Sequence, residues 1–233
     1  MKQRVNMFRA RRGVSLIVAG LFLLNHQGVL SNNISLNPGL QAAGNSSTGS
    51  GYTLVSGGKP VLWKSCSTIR YVVSADTSPK ELSTLKKALS IESKLSGHGF
   101  EYLGMVQDKA SNNWASTKFA GYSYPPVLIS WTEGKSDLLS DYSAGGTLAN
   151  PTQGINPELV TGSIAFNRSI YQTLNEGFGK GNTQGNLILH EVGHLLGLSH
   201  TDNPSELMYP QISEKTHNGY TSAEANLLSN SCK

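Results

Sequence analysis

Hydrophobic and polar positions alternate in several stretches of the chain and follow a helical period in others. The stretch Thr68–Ser74, TIRYVVS, is β-branched and aromatic, which predicts a strand. Ser78 and Pro79 then supply an N-cap and a first helical residue. The apolar stripe of this predicted helix is formed by Leu82, Leu85, Leu89 and, less regularly, Leu95. Two glycines, at positions 97 and 99, end it.

More elements follow the first strand and helix. Strands are predicted over residues 100–106, 127–131 and 162–167, a glycine-rich stretch lies at 145–151, and a helix begins near Thr183. Thr221 and Glu224 have the spacing of a capping box before a short last helix at 223–230. This order predicts an α+β (mixed α/β) domain in which helices pack on a twisted sheet.

The N-terminal segment has the pattern of a secretion leader. It starts with basic residues, continues with an apolar run from Val14 to Leu24, and has Ala42 and Ala43 as candidate cleavage positions. The run is shorter than the roughly 20 residues that span a bilayer. We expect a leader over 1–43, a Gly/Ser-rich flexible linker over 44–56 and a folded domain over 57–233. An uncleaved N-terminal anchor is the alternative for the leader.

The net charge of +4 is a property of the leader. The first 43 residues hold five basic residues and no acidic one, which leaves 14 Lys and Arg against 15 Asp and Glu in the remainder. No cluster of basic residues indicates a surface that follows nucleic-acid phosphates. We therefore expect no nucleic-acid partner, contact with a membrane only during export, and a secreted monomer.

Two cysteines, Cys66 and Cys232, fit an exported chain, in which an even number of cysteines usually pairs. A disulfide between them would join the start of the domain to its end. The alternative is a thiol that blocks a metal.

Residues 190–200 carry the strongest chemical signal, HEVGHLLGLSH. A helix places His190 and His194 on one face, one turn of about 5.4 Å apart, within reach of a single zinc ion. Glu191 lies beside these two ligands and is the predicted general base for a zinc-activated water. Gly197 can adopt a positive φ and return the chain so that His200 becomes the third ligand. Gly193, inside the helix, suggests that another segment passes close to it, with the turn around Met208 as candidate.

With the third histidine and the later Leu207-Met208-Tyr209-Pro210, the sequence resembles the metzincin clan of metalloproteases, and within it the matrixins. The resemblance implies a mostly parallel sheet with an antiparallel edge strand, two long helices and a short C-terminal helix. It also implies that Met208 forms a hydrophobic floor below the imidazoles without binding the metal.

The same resemblance suggests where substrate binds. The segment GGTLANP at 145–151 is similar to the edge strand that pairs with extended substrate in matrixins, which implies main-chain contacts from Leu148 and Ala149. A glycine-rich loop without function is the alternative. Pro210 and Ile212 would line the wall of the primed-side pocket, and Asn186 would lie near its base.

Departures from the family pattern reduce the expected metal content. Matrixins carry a second, structural zinc, but the positions of its three histidines hold Lys135, Asn150 and Ala165 here, and only Asp137 fits. Asn167 replaces an expected calcium-binding aspartate. We expect one catalytic zinc, leave structural calcium open, and predict that Glu133, Asp137 and Asp141 are solvated loop charges.

The expected activity is zinc-dependent endopeptidase hydrolysis of extended protein or peptide substrates. Two alternatives stay open at this point: a zinc amidase that acts on cell-wall peptide, and a non-catalytic zinc-binding adhesion module. The isolated histidines His98 and His217 lie outside the ligand spacing and are predicted to be surface residues.

Overall fold

The computed structural model describes residues 51–114, 121–133, 136–140 and 142–232, together with two short strands near the N-terminus. In chain order the strands and helices are β1 (Leu16–Ile17), β2 (Leu40–Ala42), β3 (Leu54–Ser56), β4 (Lys59–Pro60), β5 (Thr68–Ser74), α1 (Pro79–Ser96), β6 (Gly99–Val106), β7 (Val127–Thr132), β8 (Gly145–Pro151), β9 (Leu159–Asn167), α2 (Arg168–Tyr171), α3 (Gln184–Leu195), β10 (Gln211–Ile212) and α4 (Ser222–Ser229). Within this described part, no helix combines the length and the apolar character needed to cross a membrane.

The central sheet has five strands in the order β6-β5-β7-β9-β8. The first four run parallel, and β8 lies at the edge, antiparallel to β9, with Thr147 opposite Ile164. The predicted mixed domain with a mostly parallel sheet and an antiparallel edge strand is confirmed.

Local sequence signals determine the ends of the longest helix. Ser78 accepts a hydrogen bond from the Glu81 backbone N–H, and the Glu81 carboxylate accepts one from the Ser78 backbone, so that both form a capping box. Gly97, with a φ of 79°, closes the C-terminus in the left-handed conformation. The predicted start and end of this helix agree with the structure.

Apolar side chains cover both faces of the sheet. Along β7, Val127, Ile129 and Trp131 belong to the larger core under α1 and α3, whereas Leu128 packs in a smaller cluster on the opposite face. Burial on both faces explains why every residue of β7 is buried and why the apolar residues of the strand do not alternate with exposed ones.

The folded part begins earlier than predicted. Tyr52 is buried and donates a hydrogen bond to the Leu227 carbonyl, and Thr53 donates one to the Leu198 carbonyl. Strand β3 pairs with β2 and β4. The prediction of a flexible linker over 44–56 is therefore wrong for residues 52–56, because these residues pack against the helix α4 and the end of α3.

Most of the predicted leader, residues 1–43, lies outside the described residues. The two parts that are described are strands: β1 pairs antiparallel with β10, and β2 pairs antiparallel with β3. The predicted export function of this segment stays a prediction.

The two cysteines, Cys66 and Cys232, are joined by a disulfide across 166 residues of sequence. His98 lies near this bond and is fully buried, with Nδ1 3.2 Å from the Ser67 carbonyl oxygen. The prediction that His98 is a surface residue is wrong, because its backbone and its ring form buried contacts with Ser96 and Ser67. His217 is exposed, as predicted.

Candidate metal centre and active site

Helix α3 carries the first two histidines of the motif and the glutamate between them. Its N-cap, Thr183, accepts a hydrogen bond from the Asn186 backbone N–H at 3.1 Å. Every residue of this helix is buried, and the helix packs against the sheet and α1. His190 and His194 are one helical turn apart and therefore share a face.

The third histidine reaches the same place because the chain reverses after the helix. Gly197 has a φ of 101°, and the Leu198 backbone N–H donates to the Gly193 carbonyl at 2.9 Å. A positive φ is unstrained only for glycine, as the sequence pattern predicted. The turn brings His200 back beside the helix.

The three imidazoles converge through the same ring nitrogen. Nε2 of His194 lies 3.1 Å from Nε2 of His190 and 3.0 Å from Nε2 of His200. Ligand atoms of all three lie within 4.8 Å of one another. Tetrahedral zinc with bonds of about 2.0–2.1 Å would hold its ligand nitrogens about 3.3 Å apart, so the observed spacing is close to that of a zinc site.

Backbone carbonyls determine which ring nitrogen carries the proton. Nδ1 of His190 lies 2.7 Å from the Leu207 carbonyl oxygen, and Nδ1 of His194 lies 2.8 Å from the Leu198 carbonyl oxygen. A carbonyl only accepts, so each Nδ1 carries the hydrogen and each Nε2 has a lone pair. Lone pairs that face one another repel, and a cation between them removes the repulsion. The donor set therefore fits a zinc ion.

Burial keeps the histidines neutral. It lowers the pKa of His194 and of His200 to about 3. The charge of a neighbouring histidine lowers each pKa further: His200 acts on His194, and His190 acts on His200. The pKa of His190 is also lowered well below its ordinary value, by burial first and His194 second. Neutral imidazole is the form that binds a metal, so the site is ready for one at neutral pH.

The Glu191 carboxylate lies between α3 and the edge strand β8. Thr147 donates a hydrogen bond from Oγ1 to Glu191 Oε2 at 2.7 Å, and Glu191 is fully buried. Burial raises the pKa of Glu191 to about 8, and the hydrogen bond from Thr147 opposes this rise. A carboxyl group with a pKa near neutrality beside a metal site suits proton transfer.

The segment below the histidines is the predicted turn around Met208. Met208 is buried, and a Cβ placed on Gly193 would lie 2.7 Å from its Sδ, so a side chain at position 193 would collide with it. The close passage predicted from Gly193 is present. That Met208 forms a non-ligand floor below the imidazoles stays a prediction.

Comparison with known proteins identifies the family. The family model for matrixins, Peptidase M10, matches residues 107–226, just over half of the chain. The chain is a matrixin. Metalloproteinase-II from Bacteroides fragilis is a similar solved structure at 15% identity and a TM-score of 0.44, with 74% of this chain and 54% of that chain covered. The matrixin thus spans about half the length of that metalloproteinase. No curated protein matches the sequence significantly.

Two predicted substrate-binding residues of the matrixin lie in the edge strand. Leu148 and Ala149 are partly buried in β8, and β9 pairs with this strand on one side only. The opposite edge of β8 ends the sheet and presents backbone N–H and C=O groups to which an extended peptide could add as a strand. Contact of these residues with substrate stays a prediction.

The other three predicted pocket residues differ in their exposure. Pro210 is partly buried, and Ile212 is buried in β10. Asn186 is fully buried, and its Nδ2 lies 2.8 Å from the carbonyl oxygens of Gly179 and Gly181, to which it donates. Asn186 therefore holds the loop before α3 in place, and its place near the base of a specificity pocket stays a prediction.

The predicted loop charges of the matrixin have partners where they are described. Glu133 Oε1 accepts from Arg168 at 3.3 Å, and Asp137 accepts from the Asn112 backbone at 3.0 Å. Arg168 also forms ion pairs with Glu81 and Asp76, so one guanidinium is shared among these three carboxylates. Asp141 and Lys135 lie outside the described residues.

Two positions at which the family pattern has histidines of a second metal site are described by the structure. Asn150 is partly buried in β8, and Ala165 is fully buried in β9. Neither side chain supplies the imidazole that the family pattern has there. In the described ranges, the group of metal-binding side chains that comes together is His190, His194 and His200.

Three contributors to the site were missed from the sequence. Thr147 binds Glu191, Glu224 accepts a hydrogen bond from the Met208 backbone N–H, and Tyr220 packs beside Gly193. Strand alternation could have placed Thr147 on the same face as Gly145. Nothing local could have indicated the other two, because their partners lie on different elements.

Proposed function

We propose that this matrixin is a secreted zinc-dependent endopeptidase that hydrolyses peptide bonds of extended protein substrates. The convergence of the three Nε2 atoms beside the buried carboxylate of Glu191, next to a sheet edge, is the observation that carries the proposal. A purely metal-binding module has no need of a base at this position.

Each residue of the site has a defined task in this proposal. His190, His194 and His200 hold the zinc ion, which supplies Lewis-acid chemistry and makes water more acidic at neutral pH when bound. Glu191 takes a proton from the attacking water and delivers it to the leaving amine. The edge strand β8 orients the peptide through the backbone groups of Leu148 and Ala149.

Export is part of the proposal and is supported by two features. The basic and apolar pattern of residues 1–43 is typical of a secretion leader. The disulfide between Cys66 and Cys232 is typical of an oxidising compartment. N-terminal sequencing of protein recovered from the culture medium tests this part, and full-length protein retained in cells would contradict it.

A peptide library incubated with the zinc-loaded full chain tests the activity itself. We expect internal cleavage of linear peptides, detected by mass spectrometry, that a chelator stops and zinc restores. Cleavage confined to cell-wall peptides would show an amidase instead. Zinc binding without hydrolysis of either substrate would show a non-catalytic module.

A further inference from the structure

Two alternating residues of β8, Gly145 and Thr147, face α3 at the position of Glu191. They share one face of the strand because side chains alternate, and they lie opposite Phe166 and Ile164 of β9. A Cβ added to Gly145 would lie 2.5 Å from Glu191 Oε1 and 2.8 Å from Glu191 Cδ. The edge strand is therefore shaped to leave room for this carboxylate.

Thr147 is the polar partner of the carboxylate in that space. Its Oγ1 donates to Glu191 Oε2 at 2.7 Å and lies 3.0 Å from the Glu191 carbonyl oxygen. Thr147 is only 3% exposed, so little water competes for this hydrogen bond. The other carboxylate oxygen, Oε1, is buried and has no hydrogen-bond partner within the described part of the chain.

We propose that Thr147 is the positioning residue of the general base. Its hydroxyl holds Oε2, which fixes the rotation of the carboxylate. The residues that follow it, Leu148 and Ala149, are those whose backbone would bind the peptide. Thr147 thus links the substrate-binding strand to the base through a single side chain. This inference rests on the proposed function.

A second buried threonine, Thr161, serves as a control with a purely structural role. Thr161 lies on β9 and is 7% exposed, and its Oγ1 is buried without a hydrogen-bond partner in the described residues. Both threonines are buried strand residues with a hydroxyl, but only Thr147 directs its hydroxyl at a carboxylate. Thr161→Val is therefore a matched control for Thr147→Val.

Steady-state kinetics on a linear peptide substrate test the proposal. We expect Thr147→Val to lower kcat about 10- to 100-fold, the range of a lost hydrogen bond to a charged group, with KM changed less than about threefold. Thr147→Ser keeps the donor and should retain kcat within about threefold of wild type. Thr161→Val should leave kcat unchanged. A Thr147→Val enzyme with wild-type kcat overturns the proposal.

If Thr147→Val does not fold, Thr147→Ala and Thr147→Ser form the decisive pair. They differ by the hydroxyl oxygen alone. The serine variant should then exceed the alanine variant in kcat by about tenfold or more, and equal values would overturn the proposal.

A double-mutant cycle on the metal-free protein gives a readout independent of activity. The Tm losses of Thr147→Val and Glu191→Leu should be less than additive in the double variant, because each removes the same hydrogen bond. Thr161→Val combined with Glu191→Leu should be additive. Additivity in both cycles overturns the proposal.

These outcomes separate this inference from the proposed function. If the wild-type enzyme cleaves no peptide, or cleaves it equally well as Glu191→Gln, the proposed function fails. If cleavage depends on Glu191 but Thr147→Val has no effect on kcat, only the positioning role fails.

Discussion

The carboxylate of Glu224 accepts a hydrogen bond from the Met208 backbone N–H at 2.7 Å. The same carboxylate accepts another from the Thr221 backbone N–H, also at 2.7 Å, and forms the capping box of α4. One side chain thus starts the C-terminal helix and fixes the turn below the three histidines. A stability defect at Glu224 should therefore extend to the metal site.

Glu224→Ala should destabilise the fold by about 2–3 kcal/mol, because it removes a helix cap and leaves the buried Met208 N–H without its acceptor. Urea unfolding measures the loss. Zinc affinity should also fall, because the Leu207 carbonyl that orients His190 belongs to the same turn. The matched control is the exposed Glu214, whose replacement by alanine should change neither quantity. Equal stability of the two variants would contradict this role.

Gly193→Ala should destabilise the protein although alanine is the better helix former. The added Cβ would lie 2.7 Å from both Met208 Sδ and Tyr220 Oη. Such overpacking costs about 1–3 kcal/mol, against about 1 kcal/mol gained in helix propensity. Thermal unfolding measures the balance. Ser83→Ala, at an exposed position of α1, is the control and should be neutral or slightly stabilising. A more stable Gly193→Ala variant would disprove the close packing.

Glu92, which is buried, and Tyr220, which is partly buried, form a pair that joins α1 to α3. Tyr220 Oη lies 2.6 Å from Glu92 Oε1 and 2.5 Å from the Leu189 carbonyl oxygen. The Tyr220 hydroxyl has one hydrogen, which it donates to the Leu189 carbonyl, because a carbonyl cannot donate. The contact with Glu92 is then a hydrogen bond only when Glu92 is protonated and donates to the Tyr220 oxygen. Burial raises the pKa of Glu92 to about 8, in agreement with this assignment.

The protonated Glu92 makes folding stability dependent on pH in a defined direction. The pKa of Glu92 is about 8 in the folded state, whereas its ordinary value, which applies to the unfolded state, is 4.5. Between pH 4.5 and pH 8 the folded state therefore binds more protons than the unfolded state. The stabilising contribution is complete below pH 4.5, decreases as the pH rises, and is lost above about pH 8. Glu92→Gln has no such proton. We expect its free energy of unfolding, relative to wild type, to improve as the pH rises from 5 to 8.

Denaturant unfolding of both proteins at several pH values checks this expectation. The comparison cancels the contributions of the histidines, which both proteins share. A difference between wild type and Glu92→Gln that stays constant from pH 5 to pH 8 would contradict a protonated Glu92.

The cluster of three histidines could be predicted from sequence because its geometry is local. Helical spacing places His190 beside His194, and a glycine with positive φ returns His200 within a few residues. Strand β5 and both ends of α1 could also be predicted, since residue type and capping signals in the local sequence determine them. The capping box at Glu224 was also predicted from spacing.

The parts that escaped prediction depend on packing between distant elements. Thr147 reaches Glu191 only through the position of β8 over α3, and Glu92 meets Tyr220 across 128 residues of sequence. The prediction of a flexible linker was wrong at Tyr52 because the glycine-rich residues before it indicated a linker, whereas the Tyr52 side chain packs on α4. His98 appeared solvated for the same reason, since its burial comes from contacts outside its own segment.

The central claim is that the three histidines hold one zinc ion beside a carboxylate that acts as the base. Its most direct test measures zinc content and peptide cleavage together in the full-length wild type and in Glu191→Gln. We predict one zinc ion per chain in both proteins, with kcat reduced at least about 100-fold in the variant. Equal cleavage by the two zinc-loaded proteins, or wild-type protein that binds no zinc, would contradict the claim.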